Sequence, residues 1–330
     1  MGSVRKIRKT VMNRNNNKIK GGSRVKMDTN LVASDLLCEY KIDPIGIDTC
    51  KPRFSWRVKT EIRGQSQSAY QILVSSTLED IENDKGNMLD TGKVESSQNT
   101  NVEYSGKRLE SGKCYYWKVR IWDRYGNISP YSEIASFEMG LLSPEDWKGE
   151  WLTSPSVQLG RSPLFRKEFI LDKPVKRARA YISGLGYYEL RVNGKKVGDY
   201  VLDPGWTVYK KRVFYTTYRI EDFLNEGINV IGIILGNGWW GNSYQGFRNR
   251  PQVILQINIE YIDGDTVSII TSKDSGWLVS DGPILENNIY HGEVYDARLE
   301  KLGWDTPEYS KKYREELNTD WKDPLLADPP

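Results

Sequence analysis

Cys114-Tyr115-Tyr116-Trp117-Lys118-Val119-Arg120-Ile121-Trp122-Asp123 alternates along its length. Tyr115, Trp117, Val119 and Ile121 fall on one face, and Lys118 and Arg120 on the other. That period of two is the mark of a half-buried strand. A second stretch, Gln252-Val253-Ile254-Leu255-Gln256-Ile257-Asn258-Ile259-Glu260-Tyr261, is apolar at every odd position. Two ten-residue runs of this kind place the chain among the β-sheet proteins.

Around the first run, Gln71-Ile72-Leu73-Val74 reads as a strand, and glycines and polar residues break the chain at 86–87, 92, 105–106 and 111–112. Arg124-Tyr125-Gly126-Asn127 is a turn, and Ala135–Met139 the return strand. The pattern predicts an immunoglobulin-like or fibronectin-III-like sandwich over 31–140, with Trp56 and Tyr70 in its core. Ser143-Pro144 has helix-start chemistry, Ser143 capping and Pro144 in the first position, and marks a linker at 141–150.

Around the second run, strands are predicted at Leu164–Leu171, Ala178–Ser183, Tyr187–Val192, Arg212–Tyr218, Asn229–Leu235 and Val267–Ile270. Asn193-Gly194 supplies a tight turn before Lys195-Lys196-Val197, and Glu221–Leu224 a short helix. Seven or eight short strands separated by turns over 151–307 predict a jelly-roll sandwich. The expected fold class is therefore all-β, two consecutive antiparallel sandwiches. Residues 308–330, charged and proline-ended, read as a C-terminal connection.

Composition excludes much. The 330 residues hold 11 Trp, 20 Tyr and 7 Phe, a single histidine, His291, and three cysteines, Cys38, Cys50 and Cys114. A zinc site built on several histidines is excluded. Three cysteines without CxxC exclude a full disulfide framework; at most one bridge could form, and three reduced, buried thiols are the preferred reading. GxxxxGK[ST], GxSxG and HExxH are absent, as is a GxGxxG after a strand. No apolar run approaches the roughly 20 residues of a membrane helix.

Residues 1–26 carry nine Lys/Arg and no acid, which leaves 38 basic against 44 acidic residues in the rest. Residues 1–30 are a targeting or nucleic-acid arm, or a disordered leader ahead of a start at Met27; the second reading is preferred. The leader has no apolar h-region, so the expected location is the cytoplasm. Arg248-Asn249-Arg250, with Tyr244 and Phe247 nearby, reads as a solvated loop, and no nucleic-acid or membrane partner is expected.

Chemistry-bearing residues gather at strand ends. Asp203-Pro204-Gly205-Trp206-Thr207 and Leu235-Gly236-Asn237-Gly238-Trp239-Trp240-Gly241-Asn242 combine glycines, which let a ligand approach the backbone, with indole faces. Such faces offer platforms for sugar C–H faces, and Asn and Asp bond the hydroxyls beside them. Asp199, Asp203, Trp206, Asn237, Trp239 and Trp240 are the candidate carbohydrate contacts; the alternative is that the tryptophans close the sandwich core. Asp199 and Asn237 supply hard oxygens for a candidate calcium ion. The pairs Asp199/Asp203 and Glu293/Asp296 are the carboxylates that glycoside hydrolysis would draw on, although 44 acidic residues make such pairs common.

Several of these motifs, in order, resemble bacterial α-L-rhamnosidases of glycoside hydrolase family 78. They are Val192–Asp199, Leu202–Tyr209, Val213–Tyr218, Gly227–Gly232, Leu235–Trp239 and Gly292–Arg298, preceded by Cys38-Glu39-Tyr40, Pro44–Asp48, Pro52–Trp56 and Gln67–Ile72. The resemblance spans about residues 31–330. It implies an inverting hydrolase removing terminal α-L-rhamnose, with a jelly-roll module that in some relatives binds rhamnose with calcium. The family's acid and base sit in an (α/α)6 barrel whose D-x-P-x-R-D-E-R-like segment is absent here. The resemblance therefore predicts a non-catalytic, carbohydrate-recognising front end whose partners are rhamnose-containing glycans and the catalytic domain of the same enzyme. A purely structural scaffold, showing an exposed apolar patch, is the alternative.

Overall fold

The computed structural model describes residues 31–156, 158–243, 246–247 and 249–328. The expected basic leader, Tyr244 and Arg248 lie outside the described residues. The first sandwich is built from β1 (Val32–Cys38), β2 (Arg53–Lys59), β3 (Gln67–Ser75), β4 (Leu89–Asp90), β5 (Val102–Glu103), β6 (Cys114–Asp123) and β7 (Ala135–Glu138), with α1 (Leu78–Glu82) after β3. Its sheets run β1-β2-β5 and β4-β3-β6-β7, all antiparallel. Phe54 and Trp56 of β2 meet Tyr115, Trp117, Val119 and Ile121 of β6 in one core. Tyr70 packs edge-on to Trp56, 5.3 Å between centroids. The turn after β6 closes on Asp123, whose carboxylate accepts from the backbone N–H groups of Tyr125 and Asn127, each at 2.9 Å.

Two expectations need correction. Lys118, placed by alternation on the wet face, is only 5% exposed. Tyr131 covers it, 4.9 Å from ammonium to ring centroid, and Asp84 pairs with it at 2.5 Å. Of the thiols, only Cys38 is buried; Cys114 is half-buried and Cys50 exposed, all unpaired.

The second sandwich comprises β8 (Leu152–Thr153), β9 (Pro163–Leu171), β10 (Val175–Leu185), β11 (Tyr187–Val192), β12 (Lys195–Lys196), β13 (Thr216–Arg219), β14 (Gly227–Gly236), β15 (Asn242–Ser243), β16 (Gly246–Phe247), β17 (Gln252–Tyr261), β18 (Thr266–Ile270), β19 (Trp277–Asp281), β20 (Ile284–Asn288), β21 (Gly292–Tyr295) and β22 (Leu325–Leu326). One sheet runs β13-β10-β17-β8-β22 with β18 on β17; the facing sheet runs β12-β11-β14-β9-β19. β15–β16 and β20–β21 form separate hairpins. Predicted strand 212–218 shortens to β13, and 221–224 is a 3-10 turn at Glu221–Phe223.

The core lies between those sheets. Ala178, Ala180 and Ile182 of β10 and Leu255, Ile257 and Ile259 of β17 meet Leu190, Ile231, Ile233 and Phe165. Residues 308–328 pack on the outer face of the β9/β14/β19 sheet: α3 (Pro307–Lys312) and α4 (Arg314–Thr319) follow Trp304, and Tyr309 and Trp321 cluster with it and with Leu164. Arg166, 2% exposed, donates to Glu168 at 3.1 Å and to the Trp304 carbonyl at 3.4 Å, holding this segment down.

The alternation that sends Ala178 and Ala180 inward sends Arg177, Arg179 and Tyr181 to the opposite face of β10, which the first sandwich covers. Arg179 Nε donates to Glu138 Oε1 and Oε2 at 2.9 and 3.0 Å, and Nη1 to Glu221 Oε2 at 2.8 Å. Residues 141–150 are strapped across the same junction: Leu141 N–H donates to Tyr215 Oη at 2.8 Å and Lys148 N–H to Gln256 Oε1 at 2.6 Å. Ser143 caps the 3-10 turn at Pro144–Asp146 in a capping box with Asp146.

Candidate functional site

One end of the second sandwich gathers the loop 199–215, the short α2 (Gly238–Gly241) and the β20–β21 hairpin. Asp203 organises the loop. Its Oδ2 accepts from Tyr188 at 2.6 Å, Thr216 at 2.7 Å and Tyr218 at 2.9 Å, and its carbonyl from Tyr188 N–H at 3.1 Å. Burial pushes both tyrosine hydroxyls well above their ordinary range, and the neighbouring carboxylate adds to it. Each donates a proton it does not lose near neutrality, so the loop is tied to β11 and β13.

That anchorage carries Trp206 to the surface, 66% exposed. Its ring stacks on Trp239 of α2 with centroids 5.1 Å apart and planes 25° apart. Tyr290, at the tip of the β20–β21 hairpin, meets Trp239 edge-on at 5.9 Å and is 52% exposed. Tyr187 hydrogen-bonds Trp239. The outcome is a ledge of three aromatic rings, from three separate elements, open to solvent. An indole face and a sugar's C–H face suit one another, and Tyr290 adds a hydroxyl at the rim.

The candidates separate into contacts and supports. Trp206 and Trp239 stand together at the surface. Trp240 turns away: its Nε1 donates to the Arg250 carbonyl at 2.9 Å and its ring packs edge-on to Tyr209 at 5.5 Å, so it closes the end of the sandwich. Burial pushes the Tyr209 hydroxyl up to about 12. Asn237 and Asp203 act as supports of α2 and of the 199–215 loop. Asn237 is fully buried; its Nδ2 donates to the Gly160 carbonyl at 2.7 Å and its N–H to Asn287 Oδ1 at 2.8 Å. It fixes the start of α2, where Gly238 at φ +49° lies so close to Gly186 that a Cβ would sit 2.9 Å from backbone. Asp199 lies exposed after β12.

Of the two carboxylate pairs, Asp199 and Glu293 lie exposed, while Asp203 and Asp296 are engaged by neighbours. Asp203 Oδ2 takes three hydroxyl donors. Asp296 caps the turn at Ala297–Leu299, and its salt bridge with Arg298 at 2.6 Å holds its carboxyl down to about 2. Calcium takes six to eight oxygens. Asn237 Oδ1 is buried without a hydrogen-bond partner, and Asp199 adds one exposed carboxylate. Among the described residues no three His, Cys, Asp or Glu side chains come together. These residues do not assemble a calcium cage, and no step here runs through that ion.

Sequence reasoning missed Tyr290 and Tyr187. The signal for Tyr290 is the Asn288-Ile289-Tyr290-His291-Gly292 turn, where Asn288 Oδ1 accepts from Tyr290 N–H at 2.8 Å. Beside the ledge, Tyr200, Val201, Leu202, Val208 and Phe214 are also exposed.

This architecture joins an immunoglobulin-like sandwich to a larger sandwich that carries an aromatic ledge. Residues 33–143 match the Rha78A-like N-terminal immunoglobulin domain and residues 173–324 the alpha-L-rhamnosidase N-terminal domain. The chain belongs to the family of α-L-rhamnosidase N-terminal regions. It is 38% identical over 318 residues to an alpha-L-rhamnosidase of Formosa agariphila, covering 86% of this chain and 33% of that protein. An alpha-L-rhamnosidase of Alteromonas sp. is 33% identical over 284 residues, covering 81% and 31%. The alpha-L-rhamnosidase structure from Dictyoglumus thermophilum superposes with TM-score 0.84 at 40% identity, covering 90% of this chain and 34% of that one. The chain thus spans about a third of the length of these relatives.

Proposed function

We propose that these two modules are the non-catalytic front end of an α-L-rhamnosidase, that the Trp206–Trp239–Tyr290 ledge holds a rhamnose-bearing glycan, and that hydrolysis belongs to another part of such an enzyme. The observation that carries the reading is the Trp206–Trp239 stack: two large rings kept at the surface by Asp203 and Asn237, at a cost in exposed apolar area that a core-closing role would not incur. The relatives, all α-L-rhamnosidases by name, supply the sugar class. The engagement of Asp203 Oδ2 by three hydroxyls and of Asp296 by Arg298 supports a non-catalytic role. The exposed Tyr200, Val201, Leu202 and Val208 share the 199–215 loop with Trp206, and in this reading seat the catalytic domain of the same enzyme.

The test is calorimetric titration of L-rhamnose into the purified chain, with calcium and with chelator, beside an aryl-rhamnoside hydrolysis assay. Saturable heat without turnover is the expected result. No heat leaves the modules as scaffold only. Turnover overturns the non-catalytic reading. Loss of heat on chelation would return calcium to the Asp199 and Asn237 region.

A further inference from the structure

A cleft of about 370 Å³ lies between the two sandwiches, well removed in sequence from the aromatic ledge. Its floor is the outward face of β10 and β17, one wall is β18, and its lip is formed by residues 111–113 and the 141–148 strap. Domain junctions are a preferred place for small-molecule sites, and the volume falls at the lower end of their range.

The floor contains a donor without a partner. Tyr181 is 1% exposed, yet among the described residues no hydrogen bond reaches its hydroxyl. That hydroxyl lies just under Gly112, where a Cβ would approach it to 3.3 Å. Ladder register places Gln256 opposite Tyr181 and Asn258 opposite Arg179, on the same face. Gln256 is fully used: it accepts from Lys148 N–H and donates to the Asp146 carbonyl at 3.2 Å and to Asn258 Oδ1 at 3.2 Å. Asn258 Oδ1 also takes the Ser268 hydroxyl at 3.0 Å, which orients the amide and leaves its NH₂ undonated. Neither the Tyr181 hydroxyl nor the Asn258 amide NH₂ has a protein acceptor among the described residues, and both open on one cavity.

Charge decides the ligand class. Lys113, Lys148 and Arg177 line the cleft against Glu145, Asp146 and Glu260. The two sets match, so nothing selects a phosphate or a carboxylate. A donor-lined, charge-balanced hollow of this size suits a neutral polyhydroxyl ring. We propose that the cleft is a second glycan subsite, seating one uncharged sugar unit whose oxygens accept from Tyr181 Oη and the Asn258 amide. The choice of sugar rests on the proposed function; the two donors do not.

The test is a chemical-shift titration of the ¹⁵N-labelled chain with L-rhamnose and with an α-L-rhamnosyl disaccharide. The amides of Gly112, Lys113 and Asn258 report the cleft; the indole N–H groups of Trp206 and Trp239 report the ledge. Two separate saturation curves are expected. Tyr181→Phe and Asn258→Ala each weaken the cleft curve roughly three- to tenfold, one hydrogen bond's worth, and leave the ledge curve in place. Trp206→Ala does the reverse. Still cleft amides beside moving indoles sink the subsite and spare the ledge. Still indoles beside moving cleft amides sink the ledge and spare the subsite. A cleft curve indifferent to both Tyr181→Phe and Asn258→Ala overturns the assignment of donors.

Discussion

Removing the acid from the buried junction should loosen the two sandwiches from each other. Glu138 is 2% and Arg179 5% exposed. In Glu138→Leu the Arg179 guanidinium loses both carboxylate contacts, at 2.9 and 3.0 Å, and keeps Glu221 and the Ala178 carbonyl. Stripping one partner from a buried pair costs about 3–5 kcal/mol. The surviving Glu221 contact places the expected loss at the low end, about 3 kcal/mol. Arg177, whose Nη1 lies 3.5 Å from Glu138, loses a partner too. Glu138→Leu with Arg179→Leu removes both charges and leaves Glu221, partly open to water, to be solvated. That double variant is expected within about 1.5 kcal/mol of the parent. Arg179→Leu alone leaves buried Glu138 with only Arg177 and should likewise cost about 3 kcal/mol, so the coupling read from the cycle is at least about 4 kcal/mol. Urea unfolding followed by tryptophan fluorescence and by far-ultraviolet circular dichroism measures it, and separation of the two traces in Glu138→Leu reports domains unfolding independently. A single-variant loss below about 1 kcal/mol, or a double variant that equals the sum of the singles, refutes the reasoning.

Three further outcomes are expected. Trp206→Ala removes an exposed ring and one stacking contact, so it costs about 1 kcal/mol of stability, while calorimetry shows rhamnose binding at the ledge abolished; retained binding removes the ledge from the function. Asp203→Ala leaves the Tyr188 and Tyr218 hydroxyls without their acceptor and should cost about 1–3 kcal/mol by denaturant titration, with faster proteolysis of the 199–215 loop; an unchanged midpoint contradicts its anchoring role. In acid, several carboxyls act together. The hydrogen bond from Arg53 holds Glu39 low; burial works against ionised Asp123, but hydrogen bonds from Asn127 and Tyr125 overcome it; Asp296 lies at about 2. Their folded values sit below the ordinary 4.5 and 3.8 for Glu and Asp, so their stabilisation is complete above those values and fades as pH falls toward 2. Thermal melts between pH 6 and 2 (roughly the span of that titration) should show Tm flat, then falling below about pH 4.5; a Tm that rises on acidification contradicts the assignment.

The long strands were legible because alternation ran unbroken. β6 and β17 occupy the ten residues read for each. Asn193-Gly194 was legible because the turn demands residues that tolerate positive φ, and both adopt it, at 49° and 80°. β1 escaped because a register shift between Ser34 and Leu37 breaks the period. β20 escaped because Ile284–Asn288 is half polar and owes its form to β21. Side-chain roles depended on tertiary neighbours. Nothing local marks Lys118 as covered by Tyr131, or Arg179 as buried against a residue 41 positions earlier. Asp203 and Asn237 carry ligand chemistry in the abstract. Which of them meets solvent was decided by Tyr188, Thr216, Tyr218 and Gly160, whose approach the sequence does not announce.

The near-parallel contact between Trp206 and Trp239 also has an optical consequence. Two indoles this close share their excited states, and the shared transition is chiral because the planes are tilted by 25°. The chain therefore carries a built-in reporter, a coupled circular dichroism couplet on top of its sheet spectrum. A sugar that slides along the stack perturbs it without any label, and single replacement of either ring removes this pair's share while leaving that of the stacked Trp304 and Trp321, 6.1 Å and 28° apart.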